Sequence, residues 1–146
     1  MTYLLDTCIV SEYLKKQPAP KVLSWLEQQD ELTLYLSCLT IAELRKGYYK
    51  LHNRKPASEH RSRAKQISSW IQRLKERFGD RTLTLDPTIL EGWASLCGKS
   101  EAEGRNLPVI DSLIAATASC HGMVIVTRNV TDFENCSEDL EIFNPY

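Results

Sequence analysis

No stretch of the 146-residue chain stays apolar for anything near the roughly 18 to 20 residues that a membrane-spanning helix needs. The opening MTYLLDT carries no basic segment leading into an apolar one. The expectation is a cytoplasmic protein with no membrane partner. Cysteines number five, at positions 8, 38, 97, 120 and 136, and none forms a CxxC pair. An odd count cannot be wholly paired within the chain, so neither a disulfide framework nor a structural zinc site is expected. The cysteines read instead as reduced, mostly buried small apolar residues. The Gly-rich turns GxxxxGK[ST] and GxGxxG are both missing, which argues against nucleotide-driven and dinucleotide-dependent chemistry. The three histidines, His52, His60 and His121, lie in or beside helical segments with no acid or nucleophile paired to them, which points to surface or half-buried roles. An aspartyl-phosphate hydrolase would want a second acid two residues after Asp6, and that position is Cys8.

What is present is core-forming material. A content of 42% hydrophobic and 25% charged residues is that of a folded globular protein. The length suits one domain over residues 1–146, and a chain of this size buries roughly two-thirds of its unfolded surface without staples. The formal net charge of −1 conceals a separation: Arg45 to Arg77 holds eleven Lys/Arg against two Asp/Glu, a net of +9, and the remainder is −10. A basic middle is a footprint for a polyanion, because positive potential steers nucleic acid and neutralises its phosphates. A solvated helix face is the other reading of the same charges.

Thr2 to Leu5 reads as a short buried strand, and a helical pattern follows through Ile9, Val10, Tyr13 and Leu14, ending before Pro18. Pro20 opens a second helix with Val22, Leu23, Trp25 and Leu26 on one side. Leu32 to Leu39 is apolar on both faces, as a central parallel strand requires, and a helix from Ile41 to about Tyr49 comes next. Asn53 to Glu59, with Pro56, reads as a connection. Ala64 to Phe78 then places Ile67, Trp70, Ile71, Leu74 and Phe78 at helical spacing, stopped by Gly79. Thr82 to Leu85 is a third strand, and Asp86-Pro87 starts a helix with Ile89, Leu90, Trp93 and Leu96 facing inward. Gly104 and Pro108 bound a loop, Asp111 opens a helix Ser112 to His121, and Gly122 is its left-handed stop. Met123 to Thr127 is a fourth strand and Leu140 to Phe143 a candidate fifth. Strands alternating with helices long enough to cross over predict right-handed βαβ units. The expected fold is α/β, with three layers around a central parallel sheet of four to five strands.

In open parallel sheets the functional crevice lies beyond the carboxyl ends of the strands. Asp6 ends the first strand, Glu43 lies a few residues past the second, and Asp132 lies five residues past the fourth. Asp111 is assigned to the same rim by a weaker argument, because it begins the helix leading into the fourth strand. Each acid has a structural alternative. Asp6 can cap the following helix, and Thr40-Ile41-Ala42-Glu43 matches a capping box. Asp111 can complement a helix dipole, and Asp132 can make a turn. Separations of 37, 68 and 21 residues mean that only the fold can gather the four. If gathered, they would repel one another unless a cation neutralised them. All-oxygen ligation suits Mg²⁺ or Mn²⁺ among retained waters, which polarises a phosphoryl oxygen and activates water for in-line attack.

The blocks YLLDT at 3–7, TIAELRKG at 40–47, DSLIAATA at 111–118 and VTRNVTDF at 126–133 resemble, in order, the signature blocks of PIN-domain ribonucleases. The likeness is specifically to the VapC-type toxins of bacterial toxin–antitoxin pairs, and it runs from Tyr3 to the C-terminus. It implies a compact α/β/α PIN fold, Mg²⁺- or Mn²⁺-dependent hydrolysis of RNA phosphodiesters by a metal-activated water, a homodimer, and a cognate antitoxin. Position by position, Asp6, Glu43, Asp111 and Asp132 match the acids that hold metal in the family and so carry catalysis. Thr127 and Asn129 match polar residues that often line the same site. Relatives commonly have Asn two residues after the first acid, where this chain has Cys8, which weakens any expectation of a polar contact there.

The resemblance also gives the basic and aromatic stretch Arg45, Lys46, Tyr48, Tyr49, Lys50 a purpose, since phosphate neutralisation and base stacking together bind single-stranded RNA. Packing of Tyr48 and Tyr49 against a helix or an antitoxin is the alternative. Trp25, Trp70 and Trp93, at helical spacing, read as core or dimer interface. Two further functional classes stay open at this point. One is an RNA- or protein-binding module that kept the fold without turnover, and the other is a nuclease acting on DNA, which lacks the 2′-OH that RNA offers.

Overall fold

Leu4 and Leu5 are neighbours in sequence yet bury their side chains in different halves of the core, as successive residues of a strand must. The computed structural model describes residues 1–54 and 58–146. Strand β1 (Tyr3–Leu5) lies at the centre of a five-stranded sheet with β2 (Leu34–Ser37), β3 (Thr82–Leu83), β4 (Val124–Val126) and β5 (Ile142–Phe143). The order across the sheet is β3-β2-β1-β4-β5, and every pair is parallel. Tyr3 stands between Leu34 and Val124, and Leu5 lies beside Val126. Ile125 and Val126 in β4 repeat the alternation of Leu4 and Leu5.

Seven α-helices cover the two faces among the described residues. Helices α1 (Thr7–Val10), α2 (Pro20–Gln28), α3 (Cys38–His52) and α4 (Ser58–Phe78) close the half of the core built on Leu5, Val22, Leu36, Ile71 and Val126. Helices α5 (Pro87–Ala102), α6 (Val109–His121) and α7 (Val130–Glu134) close the half built on Leu4, Ile114, Ile125 and Phe133. The expected three-layer α/β/α arrangement is the one observed. No helix among the described residues is long and apolar enough to cross a membrane.

Several boundaries differ from those expected, each for a local reason. The pattern after β1 divides into α1 and a 3₁₀ turn at Ser11–Leu14. Helix α3 begins at Cys38 rather than Ile41, because the Ser37 hydroxyl accepts the Leu39 N–H and caps it. That removes the capping box: Thr40 is buried with no partner for its hydroxyl, and Glu43 is turned elsewhere. Helix α6 starts at Val109, since Pro108 takes the cap position and its carbonyl accepts the Ser112 N–H at 2.9 Å. Asp111 therefore lies within the first turn instead of ahead of it. Of the expected connection Asn53 to Glu59, residues 55–57 lie outside those described, and α4 begins at Ser58, ahead of Ala64. Pro20, Asp86-Pro87 and Gly122 sit at the helix ends assigned to them, Gly122 with φ of 63°. All five cysteines are free, as expected, but only Cys136 is fully buried and Cys120 is exposed.

Candidate active site

The site begins where β1 ends. The Asp6 N–H still bonds to the Val126 carbonyl at 3.0 Å, so the sheet fixes its backbone. Its two carboxylate oxygens then divide their work. Oδ1 accepts the Thr7 N–H at 2.8 Å and caps α1, while Oδ2 accepts the Thr127 hydroxyl at 2.8 Å. Capping and facing the crevice were alternatives in the sequence, and the bidentate acid does both. Thr127 is fully buried just past β4, and its oxygen also accepts the Asn129 N–H at 2.9 Å. Asn129 thus acts through its backbone, at the cap position of α7, the short helix that carries the exposed Asp132 in its first turn.

Glu43 lies in the second turn of α3, half-buried, and its Oε1 accepts the Thr7 hydroxyl at 2.9 Å. Thr7 was not singled out in the sequence. Its signal was a hydroxyl directly after the acid at a strand end, in a position where the first helical turn directs it into the same crevice. Asp111 approaches from α6, half-buried. Burial first, then the negative charges of Asp6, Asp132 and Glu43 in that order, raise its pKa above the ordinary carboxylate value. Asp111 therefore lies within reach of the fields of the other three sequence-predicted acids.

No Lys, Arg or His among the described residues forms an ion pair with any of the four. Nor do three His, Cys, Asp or Glu side chains among the described residues come close enough to ligate one ion as they stand. The acids share a crevice without sharing a coordination shell, as expected of like charges that nothing nearby neutralises. Their chemistry still suits a hard divalent cation: oxygen donors throughout, Asp6 buried and Glu43 and Asp111 half-buried, and a collective negative charge with no ion-pair partner among the described residues.

Cys8 occupies the position that gave doubt. Its Sγ lies 3.7 Å from both Asp6 Oδ2 and Thr127 Oγ1 and accepts the Arg128 N–H at 3.5 Å. Burial, with Asp6 nearby, keeps the thiol above its usual pKa, so it serves as a weak S–H donor in a polar contact. The basic and aromatic stretch on α3 is divided. The Arg45 guanidinium donates to the Ser68 hydroxyl on α4 at 2.9 Å and lies 5.2 Å from the Tyr48 ring centroid, and Tyr48 packs on the core and stacks on His52. Lys46, Tyr49 and Lys50 remain exposed. The tryptophans are structural here: Trp25 packs between Tyr3 and Phe143, Trp70 against the core, and Trp93 donates to the Ser112 hydroxyl.

Comparison with known proteins gives a consistent set of likenesses. The PIN domain family matches residues 3–137. Toxin FitB of Neisseria gonorrhoeae is 32% identical over 143 residues, covering 98% of this chain and 97% of that protein. VapC ribonuclease Y4jK of Sinorhizobium fredii is 33% identical over 147 residues, covering 98% and 96% respectively. The crystal structure of FitAcB from Neisseria gonorrhoeae superposes with a TM-score of 0.84 at 28% identity, over 99% of this chain and 98% of that one.

Proposed function

The chain belongs to the PIN domain family, and from that premise we propose that it is an endoribonuclease serving as the toxin of a toxin–antitoxin pair. Relatives named as a VapC ribonuclease and as toxin FitB, alike over nearly the whole chain, support that role. The observation that carries the site assignment is the raised pKa of Asp111 under the fields of Asp6, Asp132 and Glu43, with no basic partner among the described residues.

Asp6, Glu43, Asp111 and Asp132 are the residues that would hold Mg²⁺ or Mn²⁺. When bound, such a cation polarises phosphoryl oxygens and makes water acidic enough to attack a phosphodiester near neutral pH. The chain itself aims the acids. The Thr127 hydroxyl donates to Asp6 Oδ2 and fixes where that oxygen points, and the Thr7 hydroxyl does the same for Glu43 Oε1. Asp111, with its raised pKa, is the acid whose charge most needs a neighbouring cation. Lys46, Lys50 and Tyr49, exposed beyond Glu43 on the same helix, are available to an RNA strand, while Arg45 and Tyr48 contribute by shaping that face.

A toxin of this kind needs a cognate antitoxin, which we include in the proposal along with a homodimer. Leu90 on α5 and Val109 and Ile110 on α6 are large apolar side chains left exposed on two helices joined by the Trp93–Ser112 bond, and exposed apolar side chains suit a copy-to-copy contact. Sedimentation at twice the chain mass is the expected reading. The test of the activity is direct. Purified protein should cleave RNA with Mg²⁺ or Mn²⁺, stop with EDTA, and recover on adding the ion back. Asp6→Asn should fold yet lose at least about 100-fold in rate. Cleavage that survives EDTA refutes the metal-dependent assignment, and cleavage that survives Asp6→Asn removes Asp6 from the site.

A further inference from the structure

Arg128 leaves the backbone at the rim of the acidic crevice, and no acid among the described residues pairs with its charge. Arg128 lies one residue past Thr127 and one before Asn129, so it sits between the residue bonded to Asp6 and the cap of the helix that carries Asp132. Its backbone is fixed: its own N–H bonds to Cys8 Sγ, and the next N–H bonds to Thr127 Oγ1. Its side chain is exposed, and among the described residues the guanidinium makes no ion pair and no side-chain hydrogen bond. What it does touch is an aromatic face: the guanidinium carbon lies 5.0 Å from the centroid of the Tyr146 ring.

That ring is itself anchored. The Tyr146 hydroxyl donates to Glu12 Oε1 at 2.7 Å, with the Cys8 carbonyl oxygen 3.2 Å away. Glu12 is fully buried and is also held by the Lys15 ammonium at 2.6 Å and the Ala19 N–H at 2.9 Å. A ring tied to a buried carboxylate makes a firm platform. Lying over the ring, the guanidinium keeps its N–H groups, none of them hydrogen-bonded among the described residues, available to an oxyanion. The guanidinium is paired with none of the four acids among the described residues, so its charge is not consumed in neutralising them.

RNA approaching four carboxylates meets repulsion, and a fixed cation beside them both offsets that repulsion and defines where a phosphate rests. We propose that Arg128, held on the Tyr146 ring, binds the non-bridging oxygens of an RNA phosphate flanking the one that is cleaved, and so sets the register of the strand over the acids. This rests on the ribonuclease reading above. Arg128 is a substrate-binding and positioning residue, without a part in the bond-breaking step.

The test separates binding from turnover. In the Asp6→Asn background, affinity for a fluorescein-labelled single-stranded RNA is measured by anisotropy across a salt series. Arg128→Ala should weaken binding about fivefold and reduce the magnitude of the log–log salt slope by roughly 0.7, the value for one phosphate contact on a single strand. Arg128→Lys should keep the slope while recovering only part of the affinity, because the charge remains and the planar fork is lost. Tyr146→Leu, which removes the aromatic face, should weaken binding toward the level of Arg128→Ala, and unchanged affinity there overturns the role given to the ring. With Asp6 restored, Arg128→Ala should raise KM more than it lowers kcat. Unchanged affinity and slope in Arg128→Ala overturn the proposal. So does unchanged RNA binding with lost binding of an oligoglutamate peptide, which would assign the residue to an acidic protein partner. If the Asp6→Asn protein binds no RNA, the ribonuclease reading fails and takes this one with it. If that protein still cleaves, the role of Asp6 fails alone, and the Arg128 comparison still reads out as affinity.

Discussion

Glu12 and Asp111 are both acids withdrawn from water, and their surroundings push them in opposite directions. Burial alone would raise the pKa of Glu12. Hydrogen bonds from Lys15, the Ala19 N–H and Tyr146, with the charge of Lys15, outweigh it and hold the group at about 2. A folded-state pKa below the unfolded value means that the stabilisation is present above the unfolded pKa, near 4.5, and fades as pH falls toward 2. Asp111 is raised by burial and by three acids, so across the window just above 3.8 its contribution falls as pH rises. Between pH 6 and pH 3 the wild type should lose about 2 kcal/mol that Glu12→Gln does not, measured by urea unfolding at each pH. Equal losses in both proteins would remove Glu12 from the acid response. Asp6, Glu43 and Asp132 were legible in the sequence because they end or follow strands, whereas Asp111, in the helix ahead of β4, was reached only by a weaker argument and by resemblance. Glu12 and Thr7 were not, since only their tertiary partners, Tyr146 and Glu43, give them a part to play.

At the level of elements, the punctuation of the chain was the most readable feature. Pro20, Asp86-Pro87 and Gly122 restrict the backbone by their own covalent geometry, and each sits at the helix end it was assigned. Strand lengths were less readable. Leu32 to Leu39 is apolar on both faces, yet only Leu34–Ser37 is extended, because Cys38 and Leu39 serve equally well in the first turn of α3 once Ser37 caps it. Two-residue strands such as β3 carry no period of their own and exist through pairing with β2. Gly122 offers a clean check on the argument from covalent geometry. No atom lies within 4 Å of where a Cβ would stand, so its only demand is the left-handed φ of 63°. Gly122→Ala should then cost about 1 kcal/mol, through the backbone and not through a clash. In a domain of this length that is a fall in Tm of roughly 2–4 °C. An unchanged Tm would mean that the α6–β4 junction relaxes without penalty.

Across the whole molecule, a parallel sheet brings the carboxyl ends of β1, β2 and β4 to one edge, and acids separated by scores of residues converge there because of topology alone. The convergence has a consequence for stability that is independent of catalysis. Without a counter-ion, folding must bring like charges together, and Asp111, half-buried and bonded to no partner among the described residues, carries the clearest sign of it. Asp111→Asn removes one of those charges at nearly constant volume and should raise the Tm of metal-free protein by roughly 2–4 °C, the shift that about 1 kcal/mol produces at this length. A divalent ion should reverse the ranking. If the four acids bind Mn²⁺ only when folded, the wild type gains about 2.7 kcal/mol at an ion concentration 100 times the Kd, and a variant missing one acid gains much less. Melting curves of both proteins in EDTA and in Mn²⁺ should therefore cross over, the variant melting higher without the ion and lower with it. Were the wild type the more stable in EDTA, or were Mn²⁺ to shift both proteins equally, the four acids would have to act as separate structural groups, and the gathering of charge at the sheet edge would have no part in binding an ion.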